Sequence, residues 1–187
     1  MTLPAVPSAS SSGNMANRMK AVVLDGEQRA ALAVVRSLGI HGIPVAVGSE
    51  KKDCLASASK YCSESFTYPS PAEAPESFRG ALRKYLEGTG GSVLLPVTDV
   101  TLSEVLMHRE ELPPGTMLPY DTYGKYAELS DKTNLVRIAG ELGVPVPDTL
   151  LSSDHENNEI LIDKAAGFGF PLVVKPGFSR IRTEKGW

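Results

Sequence analysis

The chain has 187 residues, 42% hydrophobic and 22% charged, with 19 Lys+Arg against 22 Asp+Glu and a formal net charge of −3. At about 150 residues per domain, that length allows one full domain and part of another, and Leu, Ile, Val and Phe make up about a quarter of the chain, enough for a core. The slightly acidic balance argues against a general nucleic-acid binder, which carries a basic face, and no apolar run approaches the ~18 residues of a membrane helix.

Met1 to Asn17 has no charged side chain and is rich in Ser, Ala and Pro. It lacks the basic start and continuous apolar stretch of a signal peptide, so residues 1–18 read as a disordered leader. Lys20 to Leu24, closed by Asp25-Gly26, reads as a buried strand and its turn. Glu27 to Leu38 follows with Ala31, Leu32, Val34, Val35 and Leu38 at helical spacing, stopped by Gly39 and Gly42. Ile43 to Gly48 is a second strand, which completes a strand–helix–strand unit and implies parallel pairing. The segment bearing Cys54 and Cys62 reads as a short helix. The two cysteines match no metal spacing and read as free thiols in a reducing cytosol. Ser65 to Tyr68 is a short strand. Pro75 to Glu87 is a helix with Phe78, Leu82 and Leu86 on one stripe. Ser92 to Val97 is a strand, Thr101 to Arg109 a helix, and Met117 to Pro119 a last short strand. This alternation predicts a doubly wound, mainly parallel α/β sheet over residues 19–120.

Beyond residue 120 the texture changes. Helices are expected over Asp121–Leu129, Asp131–Leu142 and Ile160–Gly167. An extended segment, Val144–Leu151, follows from its prolines, and Gly169–Pro176 reads as a strand bounded by breakers. No partner strand is read after Pro176, and an unpaired apolar edge there invites dimerisation or disorder.

The chemistry starts with absences. No Gly-x-Gly-x-x-Gly follows the first strand, and no Walker-type phosphate loop is present. This argues against a Rossmann-like dinucleotide site. His41, His108 and His155 are far apart and read as solvated or structural. No catalytic group and no metal ligand set is assigned. Two lysines stand out: Lys132, after Ser130-Asp131 at a helix start, and Lys175, ending Phe170-Pro-Leu-Val-Val-Lys. Gly143-Val-Pro-Val-Pro lies between them.

Asp131-Lys132, Gly143-Val-Pro-Val-Pro and Gly169-Phe-Pro-Leu-Val-Val-Lys175-Pro176 together resemble the opening of an ATP-grasp fold. The α/β region before them, with Leu95-Pro-Val-Thr-Asp99, resembles the pre-ATP-grasp domain of carboxylate–amine ligases. Carbamoyl phosphate synthase-like and biotin carboxylase-like enzymes are the broad neighbours. The resemblance covers about residues 20–187, so residues 121–187 would be an incomplete N-terminal portion of the ATP-grasp domain. It implies ATP-dependent phosphorylation of a carboxylate and attack of an amine or ammonia on the acyl phosphate, with a small carboxylate and an amine as substrates, in the cytoplasm. It also implies that Lys132 and Lys175 neutralise ATP phosphate oxygens, for which a compact ammonium is suited. Gly177, Ser179, Arg180 and Arg182 match the place of the mobile phosphate-covering loop. That loop is normally glycine-rich. Here charge replaces backbone amides as the phosphate contact, or the segment is a frayed tail.

Asp25, Gly26, Thr98 and Asp99 follow strands, where open α/β sheets bind ligands, and are the substrate-side candidates. Ordinary turn and N-cap chemistry is their competing explanation. Mg²⁺ prefers carboxylate oxygens, and after Lys175 only Glu184 is acidic. ATP is therefore the expected cofactor, with Mg²⁺ only if a further C-terminal part is present, and the chain by itself is expected to be an inactive N-terminal fragment. The alternative is a non-catalytic α/β binding or interaction module with a vestigial nucleotide site.

Overall fold

The computed structural model describes residues 19–154 and 157–178, which divide into two compact units. The first takes the described residues up to Thr98 together with Glu110–Pro119. The second takes Asp99–Arg109 and the described residues from Tyr120 onward.

The first unit is an α/β fold on five strands: β1 (Lys20–Val23), β2 (Val45–Ser49), β3 (Cys62–Thr67), β4 (Ser92–Leu95) and β5 (Thr116–Met117). Their order is β3-β2-β1-β4-β5. All four pairings are parallel, with Ala21 opposite Val45 on one side and Val93 on the other. Central parallel strands are apolar on both faces because helices cover both. Accordingly Val22, Val23, Val45 and Val47 are completely buried. Ala21, Val23, Val45 and Val47 pack with Ala31 and Val35 of α1 (Arg29–Ile40). On the opposite face, Tyr68 meets the ring of Phe78 from α2 (Pro75–Glu87) edge-on at 5.0 Å, and Phe66 stacks on Tyr85 at 3.7 Å. The stripe read from sequence is the buried face of α2: Phe78, Leu82 and Leu86 are all buried.

Local hydrogen bonding explains where elements start and stop. The helix α1 begins at Arg29 rather than Glu27, because the Asp25–Gln28 turn closes first and the Glu27 carboxylate is engaged elsewhere. β4 ends at Leu95 rather than Val97: Pro96 has no N–H to donate, and the Val97 N–H goes to Asp25. The last strand is Thr116–Met117 rather than Met117–Pro119. The Cys54–Cys62 segment is a run of turns, not a helix. Ser57 Oγ bonds the Cys54 carbonyl and accepts from its N–H, a local side-chain competitor of helix geometry. Cys54 is buried, Cys62 half-buried, and both are free thiols.

Lys20 Nζ of the central strand β1 and Glu64 Oε2 of the edge strand β3 form an ion pair at 2.5 Å. The hydrogen bond from Lys20 is the main reason the Glu64 carboxyl titrates below its ordinary 4.5. A depressed carboxyl stabilises the fold above the unfolded-state value, and that stability is lost as pH falls through the folded value. Glu64 is 45% exposed, so solvent screening keeps the effect small. Glu64→Gln is expected to cost under about 1 kcal/mol at pH 7. It should also flatten the fall of the urea midpoint below pH 4.5. An unchanged acid slope would disprove the assignment.

The second unit contains α3 (Asp99–Met107), α4 (Tyr123–Ser130), α5 (Lys132–Glu141) and α6 (Asn158–Phe168). Thr122, Asp131 and Asn157 cap α4, α5 and α6 by accepting from the N–H of Lys125, Thr133 and Ile160, as these residue types do at N-caps. The strand expected over Gly169–Pro176 is absent. Pro171 and Pro176 remove two ladder donors, no strand of the second unit lies among the described residues, and Phe170, Val173 and Val174 are 84%, 79% and 94% exposed. No helix among the described residues is long and apolar enough to cross a membrane.

Candidate functional site

Two groups of the sequence candidates are brought together, one in each unit. In the first unit, Asp25 sits at the carboxyl end of β1, next to β4. This is the point where the strand order reverses and where such sheets place ligands. Its backbone is left-handed, φ 60°, a conformation that Asp and Asn tolerate better than other side chains. Its Oδ2 accepts the N–H of Val97 at 3.0 Å and of Thr98 at 2.9 Å. Its own N–H donates to Tyr68 Oη at 2.8 Å, and that hydroxyl points back to Asp25 Oδ1 at 3.5 Å. Burial, then the charge of Asp25, pushes the Tyr68 hydroxyl up, so it stays a neutral donor. Asp25 therefore ties the end of β1 to the end of β4 from a buried position.

Gly26 is required by space. A Cβ there would fall 2.5 Å from Cys54 Sγ and 2.8 Å from Val47 Cγ1. Its carbonyl accepts the Ala56 N–H at 2.9 Å and its N–H donates to the Gly48 carbonyl at 3.1 Å. Next to it, Glu27 Oε1 accepts from Ser49 Oγ at 2.6 Å and from the Lys51 N–H at 3.1 Å. Asp99 is exposed and belongs to the second unit, where it accepts from Tyr126 Oη at 3.2 Å.

In the second unit, Lys132 is the first residue of α5. Its backbone N–H donates to the Gly177 carbonyl at 2.9 Å. Its ammonium lies 3.3 Å from the same carbonyl and 3.4 Å from that of Pro176. Gly177 is half-buried beside Asp131 and Thr133. Lys175, two residues earlier, is exposed. Ser179, Arg180 and Arg182 lie outside the described residues. Lys132 thus meets the Pro176-Gly177 strap in space, and Lys175 directly precedes that strap in sequence. Among the described residues no three His, Cys, Asp or Glu converge as metal ligands.

Of the histidines, His41 Nδ1 lies 2.8 Å from the Ser37 carbonyl, His108 Nε2 lies 3.6 Å from the fully buried Glu104 of α3, and His155 is outside the described residues. Sequence reasoning missed Tyr68 and the Lys132–Gly177 contact. Tyr68 had one signal, an aromatic closing a short strand in a sheet whose ligand edge lies at strand ends.

No protein-family model matches the sequence, and no curated protein matches it. Among solved structures, the chain is similar to one described as the biotin carboxylase domain of a single-chain bacterial carboxylase, with a TM-score of 0.53 and 14% identity. The match covers 80% of this chain and 35% of that one, so the chain spans about a third of the structure it matches. At that identity the likeness is one of fold.

Proposed function

We propose that this chain is the N-terminal part of an ATP-dependent ligase of the ATP-grasp type, joining a small carboxylate to an amine or ammonia through an acyl phosphate. One observation carries the reading: Lys132 at the start of α5 meets the Pro176-Gly177 strap that directly follows the exposed Lys175. A parallel sheet lies ahead of it in the chain, and a biotin carboxylase domain has a similar fold. The 35% coverage of that structure supports reading the chain as a portion of a larger enzyme.

In this reading Lys132 and Lys175 neutralise the phosphate oxygens of ATP, and ATP supplies the phosphoryl group that activates the carboxylate. Asp25 and Gly26 shape the substrate side by fixing the strand ends that present Thr98, and Asp99 begins α3. Mg²⁺ ligands would come from residues beyond those described. The test is a titration with ATP followed by amide chemical shifts. Lys132 and Gly177 are expected to shift, and Lys175→Ala to weaken the apparent affinity about ten-fold, the loss of one charge-assisted contact. Absence of shifts at both amides would overturn the reading.

A second reading, a non-catalytic binding module with a vestigial nucleotide site, is favoured by Asp25. Its carboxylate already occupies the Val97 and Thr98 amides at the sheet's reversal point. That reading predicts no nucleotide response and a macromolecular or self-association partner, which sedimentation across a concentration series would register.

A further inference from the structure

The five-stranded sheet of the first unit ends in two unlike edges. β5 is two residues long and Pro119 follows closely, the kind of short edge that discourages further pairing. β3 has six residues, no proline and no lysine, and its one charged residue, Glu64, is engaged by Lys20. The inner side of β3 pairs with β2, with a register shift that passes over Ser63. Just beyond the strand, the Tyr68 N–H donates to the Ser49 carbonyl of β2 at 3.0 Å. Backbone groups alternate sides along an extended strand, so those of Phe66 also face β2, and the N–H and C=O groups of Ser65 and Thr67 face outward. Both residues are exposed, and among the described residues none bonds to their backbone from the outer side.

We propose that β3 is a self-docking edge, pairing antiparallel with β3 of a second copy about a twofold axis at Phe66. In that register Ser65 of each copy lies opposite Thr67 of the other. Each such pair exchanges both of its N–H···O bonds, which places four main-chain bonds across the axis. Phe66 meets Phe66 of the second copy in the close pair between them, where aromatic pairs are favourable. The two Glu64 carboxylates lie four positions apart along the ladder. Moving the axis to Glu64 would set these like charges directly opposite, and would draw on Ser63, which the existing ladder skips. A second copy is also the occupant that ends the pairing. An isologous contact uses both long edges at once. It leaves one continuous sheet, twice the five strands, bounded at either end by the two-residue β5. Docking β3 onto β5 of another copy would offer only those two residues and leave a further β3 open to recruit the next chain. The proposal rests on neither functional reading above.

The test is sedimentation velocity of the 187-residue chain from about 1 µM to about 1 mM, the span in which a contact of a few main-chain bonds registers. The parent is expected to move from monomer to dimer across that range and to go no further. Ser65→Pro removes an N–H that faces outward and spares the bonds to β2. It is expected to weaken association at least about ten-fold, the loss of a main-chain bond on each side of the axis, with the urea midpoint close to that of the parent. Val174→Lys, which places a charge on the 94% exposed apolar run of the second unit, is expected to leave association unchanged. Amide exchange gives a readout that needs no variant: Ser65 and Thr67 are expected to exchange at least about three-fold more slowly at the top concentration than at the bottom. A parent that stays monomeric at every concentration would overturn self-docking and leave this edge to a strand from another protein. Association lost in Val174→Lys but kept in Ser65→Pro would assign it to the apolar run instead. Dimers whose Ser65 and Thr67 amides exchange at the monomer rate would place the contact elsewhere and overturn the proposal even if Ser65→Pro failed to fold.

Discussion

Asp25→Ala is expected to destabilise the protein by about 3 kcal/mol, the largest effect of any polar substitution described. Three terms act in the same direction. The N–H groups of Val97 and Thr98 lose the carboxylate oxygen that satisfies them at 3.0 and 2.9 Å, and an orphaned buried donor costs about 1–3 kcal/mol. The Tyr68 hydroxyl loses its return partner in a buried setting. Alanine must also hold φ near 60°, where its Cβ crowds the backbone and no polar group compensates. Water reaching the strand ends offsets part of the sum. Asp25→Asn keeps an acceptor oxygen and tolerates the left-handed backbone, so it is expected to cost only about 1 kcal/mol. With an m-value of about 1–3 kcal/mol/M, the urea midpoint of Asp25→Ala should fall by at least about 1 M, with the asparagine variant between it and the parent. An alanine variant within about 0.5 kcal/mol of the parent would mean that the carboxylate does not tie β1 to β4.

Gly48→Ala is expected to be nearly as damaging, at about 2 kcal/mol. Its Cβ would lie 2.6 Å from Phe66 Cζ and 2.9 Å from both Leu24 Cδ2 and Tyr68 Cε1. Neither ring is free to move. Phe66 is stacked on Tyr85, and Tyr68 is wedged between Asp25 and Phe78. The gain of about 0.5–1 kcal/mol from replacing a strand glycine is smaller than the overpacking it causes. Gly80→Ala supplies the opposite sign. It lies inside α2 with nothing within 4 Å of the added methyl, and it should stabilise by about 0.5–1 kcal/mol. Pairing Gly48→Ala with Phe66→Leu should recover at least about 0.5 kcal/mol relative to the sum of the single changes, as expected for residues in contact. Strict additivity would show that the crowding is not at Phe66.

The contrast between these glycines marks what a sequence discloses. α2 was legible because Phe78, Leu82 and Leu86 recur at one helical turn, and a periodic signal is local. The strands β1, β2 and β4 were legible as short Val-rich runs closed by breakers. The α/β class followed from their alternation with helices. Lys132 at a helix start was legible because Asp131 is a typical N-cap. What could not be read is set by partners far along the chain. Asp25 looks like any Asp-Gly turn until Val97, 72 residues away, is placed beside it. Gly48 looks like a strand interruption until Phe66 and Tyr68 fill the space above it. The Gly169–Pro176 run has the composition of a buried strand, yet it lacks a partner among the described residues and leaves Val174 94% exposed. Composition signals what a segment would bury, and only pairing determines whether it does.

The strand order has a consequence in time. Val45 follows its β1 partner, Ala21, by about 24 positions, whereas the other neighbour of β1 arrives 72 positions after it. Closing the longer loop costs about 1 kcal/mol more in chain entropy. The β1–β2–β3 half should therefore assemble first, with one flank of β1 bare. Until β4 has been synthesised and docked, that flank offers unpaired N–H and C=O groups to any strand nearby. The Asp25 carboxylate can engage its amides only at the end of this sequence. A nascent chain halted near residue 90 would thus carry an open, sticky sheet margin, and holding such chains apart becomes a task for the cell's folding machinery rather than for the sequence itself.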